Sequence, residues 1–150
     1  MKNNKKIVQK IVLAGVIINK DNKILILQRN KNEDIFPNMW ELPSGKREFL
    51  EDSEDCLIRE IKEETGLDVN IIIPFSIFDY QIEKSGEVRD STQINFLVRV
   101  VNEKEVRLSL EHQNFAWISR NEIEQYKLSE ATKKVILKAF KLIQKLNEKI

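Results

Sequence analysis

The stretch Gly45–Leu67, GKREFLEDSEDCLIREIKEETGL, decides how the chain reads. Asp52 or Ser53 supplies an N-cap, and Gly66 stands where a C-cap glycine belongs, so a helix is expected to run to about Thr65. On a 3.6-residue wheel, Glu60, Glu63 and Glu64 share an arc of about 100°. Leu57, Ile58 and Ile61 fill the adjoining arc, and Asp55, Arg59 and Lys62 the remainder. One arc can therefore pack on a sheet while the next shows carboxylates to a cleft. Neighbouring carboxylates repel, and two of them stand near the helix C-terminus, where negative charge is disfavoured. A hard cation would reverse both penalties.

Composition narrows the choice of cation. The chain has a single cysteine, Cys56, and a single histidine, His112, which leaves no zinc set of the Cys or His type. Any metal must be held by oxygen, which points to Mg2+, Mn2+ or Ca2+. A net charge of +1 argues for no field directed at nucleic acid or membrane. With 150 residues the chain can build one domain with a substantial core, expected over 1–150. The lone cysteine fits a reducing compartment, and the apolar run Ile11–Ile18 is too short to span a bilayer, so a cytoplasmic protein is expected.

Outward from the helix, residues 7–18 read as a strand buried on both faces, and 24–28 as a second strand forming a hairpin with it. Residues 29–38 read as a loop, 40–43 as a short extended piece, and Ser44–Gly45 as a turn. Residues 69–73 and 75–80 are strand-like on either side of Pro74, 83–90 a hairpin loop, and 92–101 a strand. Residues 102–110 carry no clear pattern. A short strand is expected over 115–118, a helical turn over 120–126, and an amphipathic helix opened by Ser129. The sum is an α/β (α+β) fold with helices on a mixed sheet.

The spacing G-x5-E-x7-R-E-(apolar)-x-E-E-x-G-(apolar), from Gly45 through Glu51, Arg59, Glu60, Glu63 and Glu64 to Leu67, resembles a complete Nudix box. A chance match in a chain of this size is on the order of one in ten million. The resemblance extends in layout over roughly residues 7–146. It implies a mixed sheet sandwiched between helices, with a loop–helix–loop catalytic motif. It also implies hydrolysis of a nucleoside diphosphate linked to another group, with Mg2+ or Mn2+. By motif position, Glu60, Glu63 and Glu64 would be metal carboxylates, Ser44 would give its carbonyl to metal, and Glu51 and Arg59 would be an orienting pair. Glu111, downstream, is a further candidate for the general base alongside the box glutamates. The box departs from the usual pattern at Ser44 and at Phe49–Leu50. Leucine does not take positive φ as glycine does, so a different loop turn is expected.

Substrate contacts are read from residue type. Arg29 and Lys46 are candidates for phosphate, and Phe36, Trp40, Phe78 and Tyr80 for stacking on a base. Trp40 reads better as packing under the loop, Cys56 as a small buried residue, and His112 as a loop residue without a nucleophile to serve. The family resemblance implies a MutT-like nucleoside triphosphate pyrophosphohydrolase acting on a small-molecule nucleotide, as a monomer or homodimer. Family members that cleave ADP-ribose carry a proline past the box, and those that cleave dinucleoside polyphosphates a tyrosine; Pro74 and Tyr80 come too early for either. The alternatives are a hydrolase of ADP-ribose or nucleotide sugars, and a non-catalytic nucleotide-sensing module.

Overall fold

The computed structural model describes residues 4–102 and 104–148. Its seven-stranded sheet is organised on β1 (Lys6–Ile18), which meets three other strands. β1 runs parallel to β6 (Glu87–Val100) along its whole length, from Lys6↔Glu87 to Ile18↔Arg99. Its other edge is divided between β4 (Ser44–Lys46) and β2 (Ile24–Arg29), both antiparallel to it. β5 (Val69–Lys84) closes one side of the sheet against β6, while β3 (Trp40–Glu41) and β7 (His112–Ile118) both pair with β2. The sheet is thus mixed.

Helices cover both faces. α1 (Ser53–Thr65) sets Cys56, Leu57 and Ile61 against Leu13, Ile17, Leu25, Leu27, Phe96 and Val98. α2 (Glu130–Glu148) sets Val135, Ile136, Ala139 and Ile143 against Ala14, Val16, Ile18, Ile24, Ile26 and Leu97. Alternation along β1 supplies both cores, with Leu13 and Ile17 to one and Ala14, Val16 and Ile18 to the other. Each fully buried Val, Leu or Ile among them contributes about 1.5–3 kcal/mol. Gly15 keeps its place because a Cβ there would lie 2.8 Å from Ile61 Cδ1. Among the described residues no helix is long and apolar enough to cross a membrane.

Several boundaries differ from the sequence reading. β1 is buried on both faces only from Val12 onward; its first half alternates between exposed and half-buried, because neither apolar core extends to it. Ser44–Gly45 is a strand rather than a turn, held by the pairs Ala14↔Ser44 and Leu13↔Gly45. β5 runs through Pro74, which the sheet absorbs beside a register shift between Pro74 and Ser76. The hairpin loop of 83–90 shrinks to Ser85–Gly86, both at positive φ, because the strands pair out to Lys84↔Glu87. β7 begins at His112, earlier than the expected 115. The expected helical turn is a 3-10 helix, Arg120–Gln125.

Candidate active site

The loop–helix–loop is built by local hydrogen bonds. Asp52 caps α1 by accepting from the Asp55 amide at 3.0 Å, and Gly66 ends it in the left-handed conformation at φ 74°. Ahead of the cap, Glu51 ties the loop: its carboxylate accepts from the Glu48 amide at 3.1 Å, and its carbonyl from Arg47 Nε at 2.7 Å. Leu50 sits inside this ring of bonds at φ 62°, fully exposed with Phe49. The expectation of a different turn is therefore corrected. Leu50 takes the glycine-like conformation at a steric cost of about 1–2 kcal/mol.

Glu51 and Arg59 form a two-pronged ion pair. Arg59 Nε donates to Glu51 Oε2 at 2.9 Å and Nη2 to Oε1 at 3.0 Å. The Arg59 bond holds the Glu51 carboxyl well down, at about 2. The remaining nitrogen, Nη1, donates to Glu60 at 2.9 Å and to Glu63 at 3.4 Å. The wheel separates Arg59 from that arc; the long side chain crosses the gap.

Glu60 lies over Gly45, where any Cβ would overlap its carboxylate. Glu64 is buried and accepts from the Ser44 amide at 3.3 Å. Burial first, then the charges of Glu41 and Glu111, push its carboxyl up to about 9. Glu60 is raised in the same sense, by burial first, against the opposing pull of Arg59. Cys56 is buried beneath, its thiol pushed by burial up to about 12.

Among the described residues no three acidic, histidine or cysteine side chains converge as a metal ion requires. The reason lies in the bonds just given: Arg59 holds Glu60 and Glu63, and the Ser44 amide holds Glu64. In kind, the donor set still fits a hard divalent cation. It is all oxygen, it crowds like charges on a part-buried patch, and a glycine keeps one carboxylate against the β4 backbone.

The other candidates spread around this centre. Glu111 lies exposed in the turn before β7, close enough for its charge to act on both Glu60 and Glu64. Arg29 is already engaged: Nε donates to the Ile35 carbonyl at 2.8 Å, and Nη1 meets Glu41 at 3.4 Å. Lys46 is held below its ordinary range by partial burial, then by Arg89, Lys10 and Lys84. Trp40 packs edge-on against Tyr126 with centroids 4.8 Å apart. Phe36 is 59% exposed at a left-handed φ of 50°. Phe78 and Tyr80 lie together on β5, centroids 5.7 Å apart.

Two residues escape the sequence reading. Glu41, on β3, acts electrostatically on both Glu64 of α1 and Tyr80 of β5. His112 is no loop residue: it is buried at the start of β7 with Nε2 3.2 Å from Glu41 Oε2. The signal for Glu41 was its place three residues before Ser44. Nothing in the sequence marked His112, because its partner is 71 positions away.

The NUDIX domain family model matches residues 9–140. The chain belongs to the Nudix family. A nucleoside triphosphatase NudI from Escherichia fergusonii is 31% identical over 126 residues, covering 80% of this chain and 89% of the relative. The crystal structure of a MutT protein from Methanosarcina mazei Go1 superposes with a TM-score of 0.68 at 27% identity, covering 96% of this chain and 97% of that one. The solution structure of the ORF135 protein of E. coli gives 0.63 at 28% identity, covering 96% and 95%. This Nudix chain is therefore a hydrolase of phosphoanhydride bonds, and its mixed sheet between helices is the family's fold. Nudix hydrolases in general use divalent metal ions.

Proposed function

We propose that this Nudix hydrolase is a Mg2+-dependent nucleoside triphosphate pyrophosphohydrolase, with Mn2+ as a substitute, yielding the nucleoside monophosphate and pyrophosphate. The observation that carries the reading is Glu60 seated on Gly45 beside buried Glu64, with Arg59 clamped by Glu51. The 31% identity to a nucleoside triphosphatase supports the substrate class. Glu60, Glu63, Glu64 and the Ser44 carbonyl are the groups we assign to hold the cation. When bound, it supplies charge neutralisation on the phosphates and activates water.

The chain's own residues do the rest. Arg59 keeps Glu60 and Glu63 aligned along one side of α1, and Glu51 keeps Arg59 there. Glu111 is the carboxylate we assign to accept the proton as water attacks phosphorus and a P–O–P bond breaks. Arg29 and Lys46 bring positive charge to the phosphates; Phe78 and Tyr80 offer ring surface to the base.

The test is a panel of NTPs, dNTPs, oxidised dNTPs, ADP-ribose and dinucleoside polyphosphates with Mg2+. Wild type is expected to turn over triphosphates, and Glu63→Gln and Glu64→Gln to lower kcat by on the order of 100-fold or more. Exclusive turnover of ADP-ribose or a dinucleoside polyphosphate would overturn the substrate assignment. No turnover of any member would return the chain to a nucleotide-sensing role.

A further inference from the structure

On the face of β6 that turns toward α2, the side chains change from apolar to polar partway along the strand. Leu97 belongs to the core under the helix; Asn95, Gln93 and Ser91 follow at alternate positions, all buried. These positions put two amides and a hydroxyl on a face that is apolar at Leu97. Gln93 Nε2 donates to Asn95 Oδ1 at 2.8 Å. That bond fixes both amide planes and leaves one group of each over. Asn95 Nδ2 is buried without a hydrogen-bond partner among the described residues, and the Gln93–Asn95 bond engages Gln93 through Nε2, not Oε1. A buried amide group left unpaired is costly, and few are tolerated without a purpose.

The register shows what surrounds the pair. Asn95 lies between Ala14 and Ser76, two small residues, and Gln93 between Val12 and Phe78. Ser91 lies beside Tyr80 and bonds its hydroxyl. Paired residues project to the same face, so the Phe78 and Tyr80 rings wall one side of the amides. In the other direction the row runs Asn95, Ala14, Ser44. Asn95 is thus two strands, about 10 Å, from the residue whose amide holds Glu64. A nucleoside spans a gap of this order between its base and its phosphates.

We propose that the Gln93–Asn95 carboxamide pair, walled by Phe78 and Tyr80, recognises the nucleobase edge of the substrate. This rests on the nucleotide reading above and deepens it. Gln93 Oε1 accepts an N–H of the base, and Asn95 is the positioning residue that fixes the Gln93 amide the right way round. The rings offer stacking surface to the base.

The test compares nucleoside triphosphates with the base-free 2-deoxyribose 5-triphosphate in the wild type, in Gln93→Met and in Asn95→Leu. Gln93→Met keeps side-chain length and removes both amide groups, and thermal melts report whether each variant is folded. The expected result is a 10- to 100-fold rise in KM for the preferred nucleotide with kcat little moved, so that the advantage over the base-free compound collapses. A folded Asn95→Leu should show the same split. If it fails to fold, Gln93→Met alone decides. The inference is overturned if Gln93→Met lowers turnover of the nucleotide and the base-free compound by the same factor, or leaves the base preference intact. It also fails, alone, if wild type cleaves the base-free compound as well as nucleotides. If wild type cleaves no nucleotide, the pyrophosphohydrolase reading falls and takes this one with it.

Discussion

Gly45 is where a missing side chain matters most. A Cβ there would overlap the Glu60 carboxylate, so the residue is glycine for close approach and not for backbone freedom. Gly45→Ala should push Glu60 off β4 and cut turnover on the order of 100-fold, as a displacement of about 1 Å can. Steady-state kinetics beside a thermal melt will check this, with little change in melting expected because Glu60 is not part of the apolar core. Leu50 is the opposite case, a side chain where none is wanted. Leu50→Gly removes the left-handed penalty but adds backbone entropy to the unfolded chain, a net gain of about 0.5–1 kcal/mol. A denaturant titration showing a loss instead would mean that Leu50 makes contacts beyond its exposed position. The box residues were legible at this scale because their partners lie within one helix and its flanking loop. Glu41, His112 and the Gln93–Asn95 pair were not, since each takes its meaning from another strand.

At the scale of the element, α1 is fixed at both ends by different means. Its start is a local cap; its end is a clip, with Asp68 bonding Lys62 at 2.8 Å and Lys104 at 2.7 Å. These two lysines hold the Asp68 carboxyl down at about 2, below its ordinary 3.8. A depressed carboxyl adds stability above its unfolded pKa and loses it as pH falls through the folded one. Asp68→Asn should therefore melt below wild type near pH 6, with the gap closing between about pH 4 and pH 2. A gap that persists at pH 2 would show that the aspartate acts by packing and not by charge. The strands tell a similar story about reach. Their apolar cores were readable, but their ends were set by partners: β4 exists because β1 offers a free edge, and β5 crosses Pro74 because β6 pairs beyond it.

Over the whole molecule, the carboxylates crowd the joint between α1 and the sheet, and burying their charge opposes folding. A cation that binds only the folded state relieves this by mass action. At 100 times its dissociation constant, Mg2+ should add about 2.7 kcal/mol, roughly 5–10 °C in melting temperature. Glu60→Gln and Glu64→Gln should abolish that shift while melting on their own near or above metal-free wild type, since each removes a carboxyl whose ionisation burial opposes. An equal shift in both variants would place the cation elsewhere. By itself the sequence determined the helix α1, its caps, the carboxylate spacing and the mixed α/β class. These depend on periodicity and on neighbours a few residues away, which is the range over which sequence order is spatial order. Only the tertiary structure decided that Arg59 holds Glu60 and Glu63, that Leu50 accepts a glycine's conformation, that Glu41 meets His112 near Glu64, and that Gln93 bonds Asn95 inside the sheet. Those outcomes depend on which strands β1 brings side by side, and strand pairing joins residues whose separation along the chain carries no local signal.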